Sequence, residues 1–278
     1  MDIETKHPLA GKKIIVSGAG IGGLAFAIAL HKKWSSTAAA TTPAPSITIY
    51  EREEESQSHR EGHALSLRAD PLSGGVQALQ RMGLLDEVLD VSITGRRPEQ
   101  GGFCFWDKDW RLLMKIASEL IARRKLREVL IQHASSNCEI RWGEGCIDAE
   151  RLDNGRIKVQ LSSGETDECD LVVVADGANS KIRQSLRPDG KPRFTGTVSI
   201  TGIATFVDDV PPPVDKDWGV LTGGEGHSLF VSPIDEHRAL WSINYKNDEL
   251  RNLPQPEDNP RRSFETRLCL WGEIQDPR

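Results

Sequence analysis

No stretch of this 278-residue chain is apolar for the roughly 20 residues that a membrane-spanning helix requires. The opening ten residues, MDIETKHPLA, are too polar and acidic for a secretory leader, so the cytoplasm is the expected compartment. Cysteine is sparse: Cys104, Cys138, Cys146, Cys169 and Cys269 are odd in number and nowhere form a Cys-x-x-Cys pair, which argues for reduced structural thiols rather than a disulfide framework. None of the seven histidines falls in a His-Glu-x-x-His spacing, so no metal is expected. Internal repeats are absent. A net charge of −6 argues against general nucleic-acid affinity, and the basic cluster Arg123 to Arg127 reads as one face of a helix. What is present is 38% hydrophobic and 27% charged residues, the balance of a water-soluble globular protein with room for one large or two ordinary domains.

The first informative pattern is VSGAGIGGLAFAIAL. Lys13 to Ser17 is a short β-branched run and Leu24 to Leu30 an Ala-rich helix, so Gly18, Gly20 and Gly23 sit at a strand-to-helix junction. At such a junction Gly18 permits a tight turn, Gly20 lets backbone approach a pyrophosphate, and Gly23 allows helix and strand to pack closely. The helix mouth offers free N–H groups to the anion. A ribose partner should follow at the end of the next strand. Ile47 to Tyr50 is that strand, and Glu51 is the acid expected to bind a ribose diol. Glu51 lies roughly eight residues farther from Gly23 than is usual. The stretch SSTAAATTPAPS, Ser35 to Ser46, reads as an inserted loop that accounts for the excess. The competing reading makes Glu51 one more acid in the solvated run Glu51 to Glu55.

Downstream, Ala64 to Leu67 reads as a strand and Leu72 to Met82 and Leu84 to Leu89 as helices. Gly101 to Trp106 starts a strand that turns as a hairpin through Asp107 to Asp109. From Glu119 to Ser135, Ala122, Leu126, Val129, Leu130 and His133 keep helical spacing with basic residues opposite. Glu139 to Trp142, Arg156 to Leu161 and Leu171 to Ala175 are strands, punctuated by Asn154-Gly155 and Ser163-Gly164 turns. Past Pro188 the chain becomes strand-rich: Thr197 to Val207, Trp218 to Leu221, His227 to Val231 and Ala239 to Tyr245 alternate without helices, as expected of an antiparallel sheet facing a pocket. His227, Trp218 and Trp241 could line that pocket or its core. A helix is expected near Arg261 to Leu270.

A second turn follows the strand in DLVVVADGANSKIR, Asp170 to Arg183. Asp176-Gly177 is a common turn pair, but here a buried strand precedes it and Ser180 and Arg183 follow. Ser180 lacks Gly-x-Ser-x-Gly framing and reads as a helix N-cap, not a nucleophile. Together with the glycine turn, Glu51-Arg52, the Arg60 to Ala64 stretch and the IARRKLREVL helix, this segment resembles the group A FAD-dependent monooxygenases, the p-hydroxybenzoate hydroxylase-like family, over most of residues 11 to 250.

The resemblance implies an α/β fold: a Rossmann-like FAD-binding domain with βαβ units at 1–190, an antiparallel substrate-domain sheet at 191–250, and an incomplete returning segment at 251–278. It implies FAD as cofactor and NAD(P)H as co-substrate, with dioxygen and a small aromatic or polycyclic molecule as substrates, hydroxylated through a flavin hydroperoxide. Gly18, Gly20 and Gly23 match the pyrophosphate turn, and Glu51, followed by Arg52, the adenosine ribose ligand. Gly62 and Ala64 match a Gly-x-Gly segment near the cofactor, with Arg60 before it. Arg123 matches an arginine that reaches the FAD phosphates or ribose, and Asp176-Gly177 a motif implicated in FAD and NAD(P)H binding. Surface roles for Arg60 and Arg123 compete with these. The family's later Gly-Asp segment is not found, so the chain is expected to be truncated before it and to hold FAD weakly or not at all. The alternatives are a flavin oxidoreductase without oxygen insertion and a non-catalytic remnant.

Overall fold

The computed structural model describes residues 7–37, 42–55, 64–68, 73–93, 101–190, 193–224 and 226–248. Arg60, Gly62 and the helix expected over 261–270 lie outside them. The chain divides into two compact units. One comprises residues 1–102 and 117–192, the other residues 103–116 and 193–278.

The first unit opens with strand β1 (Lys13–Ser17), helix α1 (Ile21–Thr37) and strand β2 (Ser46–Tyr50). Strand β3 (Ala64–Arg68) and the short helices α2 (Gly74–Met82) and α3 (Leu85–Asp90) follow. The chain then runs through β4 (Gly102–Asp107) and β5 (Leu112–Ala122), and the last residues of β5 return to pair antiparallel with β3, Leu67 opposite Glu119. Helix α4 (Arg123–Ser135) leads to β6 (Glu139–Arg141) and to a three-stranded antiparallel sheet of β7 (Cys146–Arg151), β8 (Ile157–Leu161) and β9 (Thr166–Cys169). Strand β10 (Leu171–Val174) and helix α5 (Lys181–Leu186) complete the unit.

Four of these strands form a parallel sheet in the order β10-β1-β2-β6. Alternation along β1 sends Ile14 and Val16 to one face and Ile15 to the other, all with no exposed surface. On the first face they pack with Leu24 and Ala27 of α1 and Leu126 and Leu130 of α4. On the second, Ile15 meets Val159 and Leu161 of β8 and Ile182 of α5. Each such side chain stabilises by about 1.5–3 kcal/mol, so the sheet is fixed from both sides.

The second unit contains β4, the first residues of β5, β11 (Thr197–Thr205), β12 (Trp218–Gly224), β13 (His227–Asp235) and β14 (Arg238–Lys246). β11, β14, β13 and β12 are successive antiparallel neighbours. β12 then pairs in parallel with β4, Trp218 opposite Phe103. Cys104, Trp106, Leu221, Val231 and Ala239 form the core on one face of this sheet. The parallel β4–β12 pair draws residues 103–116 to the later strands.

Several sequence expectations need correction. Glu119 to Ala122 continue β5 rather than opening α4. Leu120 and Ile121 are buried there, and ladder pairing with β3 overrides the helical spacing. Ser35 to Thr37 are the end of α1, not a loop. β7 and β9 were not anticipated, since CIDAER and TDEC carry too few apolar residues to mark a strand. The later sheet is antiparallel only up to β12.

Gly23 sets how closely α1 crosses β1. A methyl group there would lie well inside contact distance of the Gly18 carbonyl oxygen and 3.1 Å from Val16 Cγ1. Since the obstacle is backbone, Gly23→Ala should lower unfolding stability by about 1–3 kcal/mol in urea titration. Gly20→Ala, whose methyl would meet nothing within 4 Å, should stay within roughly 1 kcal/mol of the parent.

Candidate functional site

Three parallel strands end at one level. Ser17 of β1 stands opposite Tyr50 of β2 and Val174 of β10, so Gly18, Glu51 and the Ala175-Asp176 turn emerge together at the carboxyl end of the sheet. In open α/β sheets that end is where ligands bind. Backbone hydrogen bonds lock the three exits: Gly18 N–H donates to Tyr50 O at 2.8 Å and Ala175 N–H to Ser17 O at 2.8 Å. Gly18 takes φ +103°, and a Cβ on it would stand 2.7 Å from Ala175 O and 3.0 Å from the Asp176 Cα. The two turns singled out in the sequence are therefore in backbone contact, and only glycine fits between them.

Helix α1 starts immediately beyond, with no acidic side chain in its first turn. The partial positive charge of its first N–H groups is thus not compensated from within the helix. Gly20 and Gly22 have no atoms within 4 Å of where a Cβ would stand, so the backbone is open in front of the helix mouth.

Glu51 is 8% exposed and points into this turn. Its Oε2 accepts the Ala19 N–H at 2.7 Å, and its Oε1 the Glu53 N–H at 3.0 Å. An ionised carboxylate has about four acceptor positions, so each oxygen retains capacity for another donor. The solvated-acid reading of Glu51 is excluded by its burial.

The cation beside it is Arg127. Its guanidinium, 3% exposed, places Nη2 3.7 Å from Glu51 Oε2. Its Nε donates to the Ala19 carbonyl at 2.9 Å, and the group stacks 5.4 Å from the Trp142 ring. Arg127 thus grips both the glycine turn and its acid. Sequence reasoning placed Arg127 on a solvated helix face, and the structure overturns that. Arg123 lies one turn earlier on α4, exposed, and Ala64 pairs with the adjacent Ala122. Arg52 is exposed, and its Cβ backs onto Gly145. Trp218 is fully buried and Trp241 packs on the core of the second unit, whereas His227 is exposed at the start of β13.

Beyond β10, Gly22, Asp176, Gly177, Ser180, Arg183 and Leu186 border an open cavity of about 560 Å³. Asp176 Oδ1 is buried with no hydrogen-bond partner, a costly state unless a ligand donates to it. Gly177 adopts φ +80°, and Ser180 caps α5 by accepting the Arg183 N–H at 2.9 Å, as its sequence context predicts. Arg183 also donates to the Gly177 and Ala178 carbonyls, which braces the Asp-Gly turn from behind.

The last residue of β2, Tyr50, is held by a polar network. Asp167 receives hydrogen bonds from Lys13 Nζ and, at 2.9 Å, from the Tyr50 hydroxyl, to which Arg141 Nη1 also donates at 3.0 Å. Burial pushes the Asp167 carboxyl up, but the Lys13 and Tyr50 hydrogen bonds outweigh it and hold it below its ordinary 3.8. Burial, with Asp167 beside it, drives the Tyr50 phenol well above its ordinary range. Among the described residues, no group of three or more His, Cys, Asp or Glu is placed to hold a metal ion, and no helix is long and apolar enough to cross a membrane.

No protein-family model matches the chain. It is 34% identical over 268 residues to the monooxygenase cfoF of Aspergillus candidus, a match covering 90% of this chain and 63% of that protein. It is 26% identical over 272 residues to the FAD-dependent urate hydroxylase of Mycolicibacterium vanbaalenii, covering 93% of this chain and 62% of the relative. The chain thus spans less than two thirds of either. Klebsiella pneumoniae HpxO, solved as a variant complexed with FAD, superposes with a TM-score of 0.67 at 21% identity over 94% of this chain and 64% of that one. The shared fold follows from that superposition.

Two outcomes follow from the charges. Arg127→Met leaves Glu51 buried beside an apolar chain and should cost about 3–5 kcal/mol in urea unfolding. The Arg127→Met/Glu51→Gln pair should recover part of that loss in a double-mutant cycle. Asp167→Asn should cost about 2 kcal/mol near pH 7, where the hydrogen bonds are charge-assisted. Because the folded carboxyl titrates below its unfolded value of 3.8, this contribution is complete above that pH and fades below it. The variant and parent unfolding curves should therefore converge as the pH falls below 3.8.

Proposed function

We propose that this chain, whose curated relatives include monooxygenases, one of them FAD-dependent, binds FAD at the carboxyl end of its parallel sheet and serves a FAD- and NAD(P)H-dependent monooxygenase reaction on a small aromatic molecule. The observation that carries the reading is the juxtaposition of Glu51, with spare acceptor capacity on both carboxylate oxygens, and the open backbone of Gly20 at the mouth of α1. A dinucleotide needs both features at once: donors for its diphosphate and paired acceptors for its ribose.

The residues present fit the group. Gly18 and Gly23 shape the turn, Gly20 gives backbone access, and the first N–H groups of α1 face the diphosphate. Glu51 takes the ribose hydroxyls while Arg127 holds that carboxylate in place. Asp176, with one buried oxygen in want of a donor, and Gly177 border the same edge. Arg52, Arg60, Gly62, Ala64 and Arg123 are proposed as further contacts along the cofactor. Bound FAD would supply the redox and oxygen-activating chemistry, with NAD(P)H and dioxygen as co-substrates. The chain's own work is to bind, orient and exclude water. An aromatic substrate is supported by the urate hydroxylase relationship, since that relative's name specifies a heteroaromatic ring. A cytoplasmic location is supported by four free cysteines among the described residues.

FAD titration followed by flavin fluorescence tests the reading. Glu51→Gln should weaken binding by about 1.5–3 kcal/mol, through loss of charge-assisted hydrogen bonds. Gly20→Ala should weaken binding while moving unfolding stability by no more than about 1 kcal/mol, because its methyl group meets no atom of the chain within 4 Å. Unaltered affinity in both variants would remove FAD from this edge.

A further inference from the structure

Trp142 is the first residue past β6, and the backbone on either side of it is tied to the segment that carries Glu51. Arg141 stands opposite Tyr50 at the end of the β2–β6 pair, and the bonding runs on beyond both strands. Glu51 N–H donates to Arg141 O at 2.8 Å, Glu144 N–H to Glu51 O at 2.8 Å, and Gly143 N–H to Glu53 O at 3.0 Å. Gly143 turns at φ +74°, where a Cβ would stand 2.5 Å from Glu54 Oε1. The indole of Trp142 is therefore carried on the same backbone frame as the Glu51 carboxylate.

That indole meets Arg127. The guanidinium carbon lies over the ring, 5.4 Å from its centroid, and the half-buried ring also packs on the core that holds Leu126 and Leu130 of α4. The Arg127 Nε bond to Ala19 O fixes one corner of the guanidinium, and Nη2, 3.7 Å from Glu51 Oε2, is at ion-pair distance, longer than a hydrogen bond. Neither contact sets the plane of the group. An aromatic ring lying on its face does. With the Arg127 side chain only 3% exposed, water competes little for the charge, which strengthens the attraction to the ring.

We infer that Trp142 is a positioning residue. Its ring holds the Arg127 guanidinium in the plane from which it grips the Ala19 carbonyl and faces Glu51, and so keeps the Glu51 carboxylate on the Ala19 and Glu53 amides. Trp142 acts through Arg127 alone. The effect on the turn stands on this geometry, while the effect on ligand affinity rests on the FAD reading.

Amide hydrogen exchange on the chain alone reads the first effect. Trp142→Leu keeps apolar bulk without an aromatic face. In it the Ala19 and Glu53 amides, both bonded to the Glu51 carboxylate, should exchange about fivefold faster or more, while the Gly18 and Ala175 amides, bonded to backbone, stay within about twofold of the parent. Trp142→Phe, which keeps a face for the cation, should hold all four amides within about twofold. In an Arg127→Met background Trp142→Leu should add nothing further. Titration with FAD and with ADP reads the second effect: affinity for both should fall about fivefold or more in Trp142→Leu and recover in Trp142→Phe. Parent-like exchange at Ala19 and Glu53 in Trp142→Leu, equal loss in the Leu and Phe variants, acceleration of all four amides alike, or an undiminished Trp142→Leu effect without Arg127 would each overturn the inference. Unmoved affinity in a Trp142→Leu chain whose amides have loosened would overturn its link to the ligand. A parent chain that binds neither FAD nor ADP sinks the cofactor reading instead, and the exchange result alone then decides the role of Trp142.

Discussion

The register that brings Ser17, Tyr50 and Val174 level is the constraint on which the rest depends. A shift of one residue in either pairing would carry Glu51 or Asp176 away from Gly18 and reverse which side chains reach the two cores. That register is held by burial on both faces, Ile14 and Val16 one way and Ile15 the other, and by the Gly18 and Ala175 hydrogen bonds at the exits. The site is therefore a property of a rigid sheet end rather than of mobile loops. Such placement holds Gly18, Glu51 and Asp176 in a fixed relation to one another.

Around that end the polar groups are interlocked. Glu51 is bound to the Ala19 N–H, and Arg127 to the Ala19 carbonyl and near Glu51, so the two peptide groups flanking the Ala19 Cα are both clamped. The Asp-Gly turn is braced by Arg183 in the same manner. Both turns are thus held in shape by hydrogen bonds made within the chain itself.

What the sequence made legible was local. Gly18, Gly20 and Gly23 stand between a β-branched run and an Ala-rich run, and Glu51 at the end of the next strand, so the turn could be read from neighbours. Arg127 could not. Three arginines crowd the start of α4, and which one turns inward depends on how the helix sits against Ala19, 108 positions away in sequence. The boundary between β5 and α4 was hidden for a related reason: ladder bonds to β3, more than fifty residues earlier in the chain, decide that Glu119 to Ala122 are extended. β7 and β9 escaped notice because strands with one face on a small core need few apolar residues.

Glu51 has two tasks that cannot be separated by a single substitution. Its carboxylate neutralises a buried guanidinium and ties down the Ala19 amide, and it is also the group proposed to meet the ligand. A lineage that ceased to use the ligand would still be selected to keep this acid, because losing it would remove the carboxylate beside the buried Arg127 guanidinium. Retention of Glu51 across descendants is therefore evidence of folding, whereas Gly20, with no atom within 4 Å of where its Cβ would stand, answers to no such packing demand.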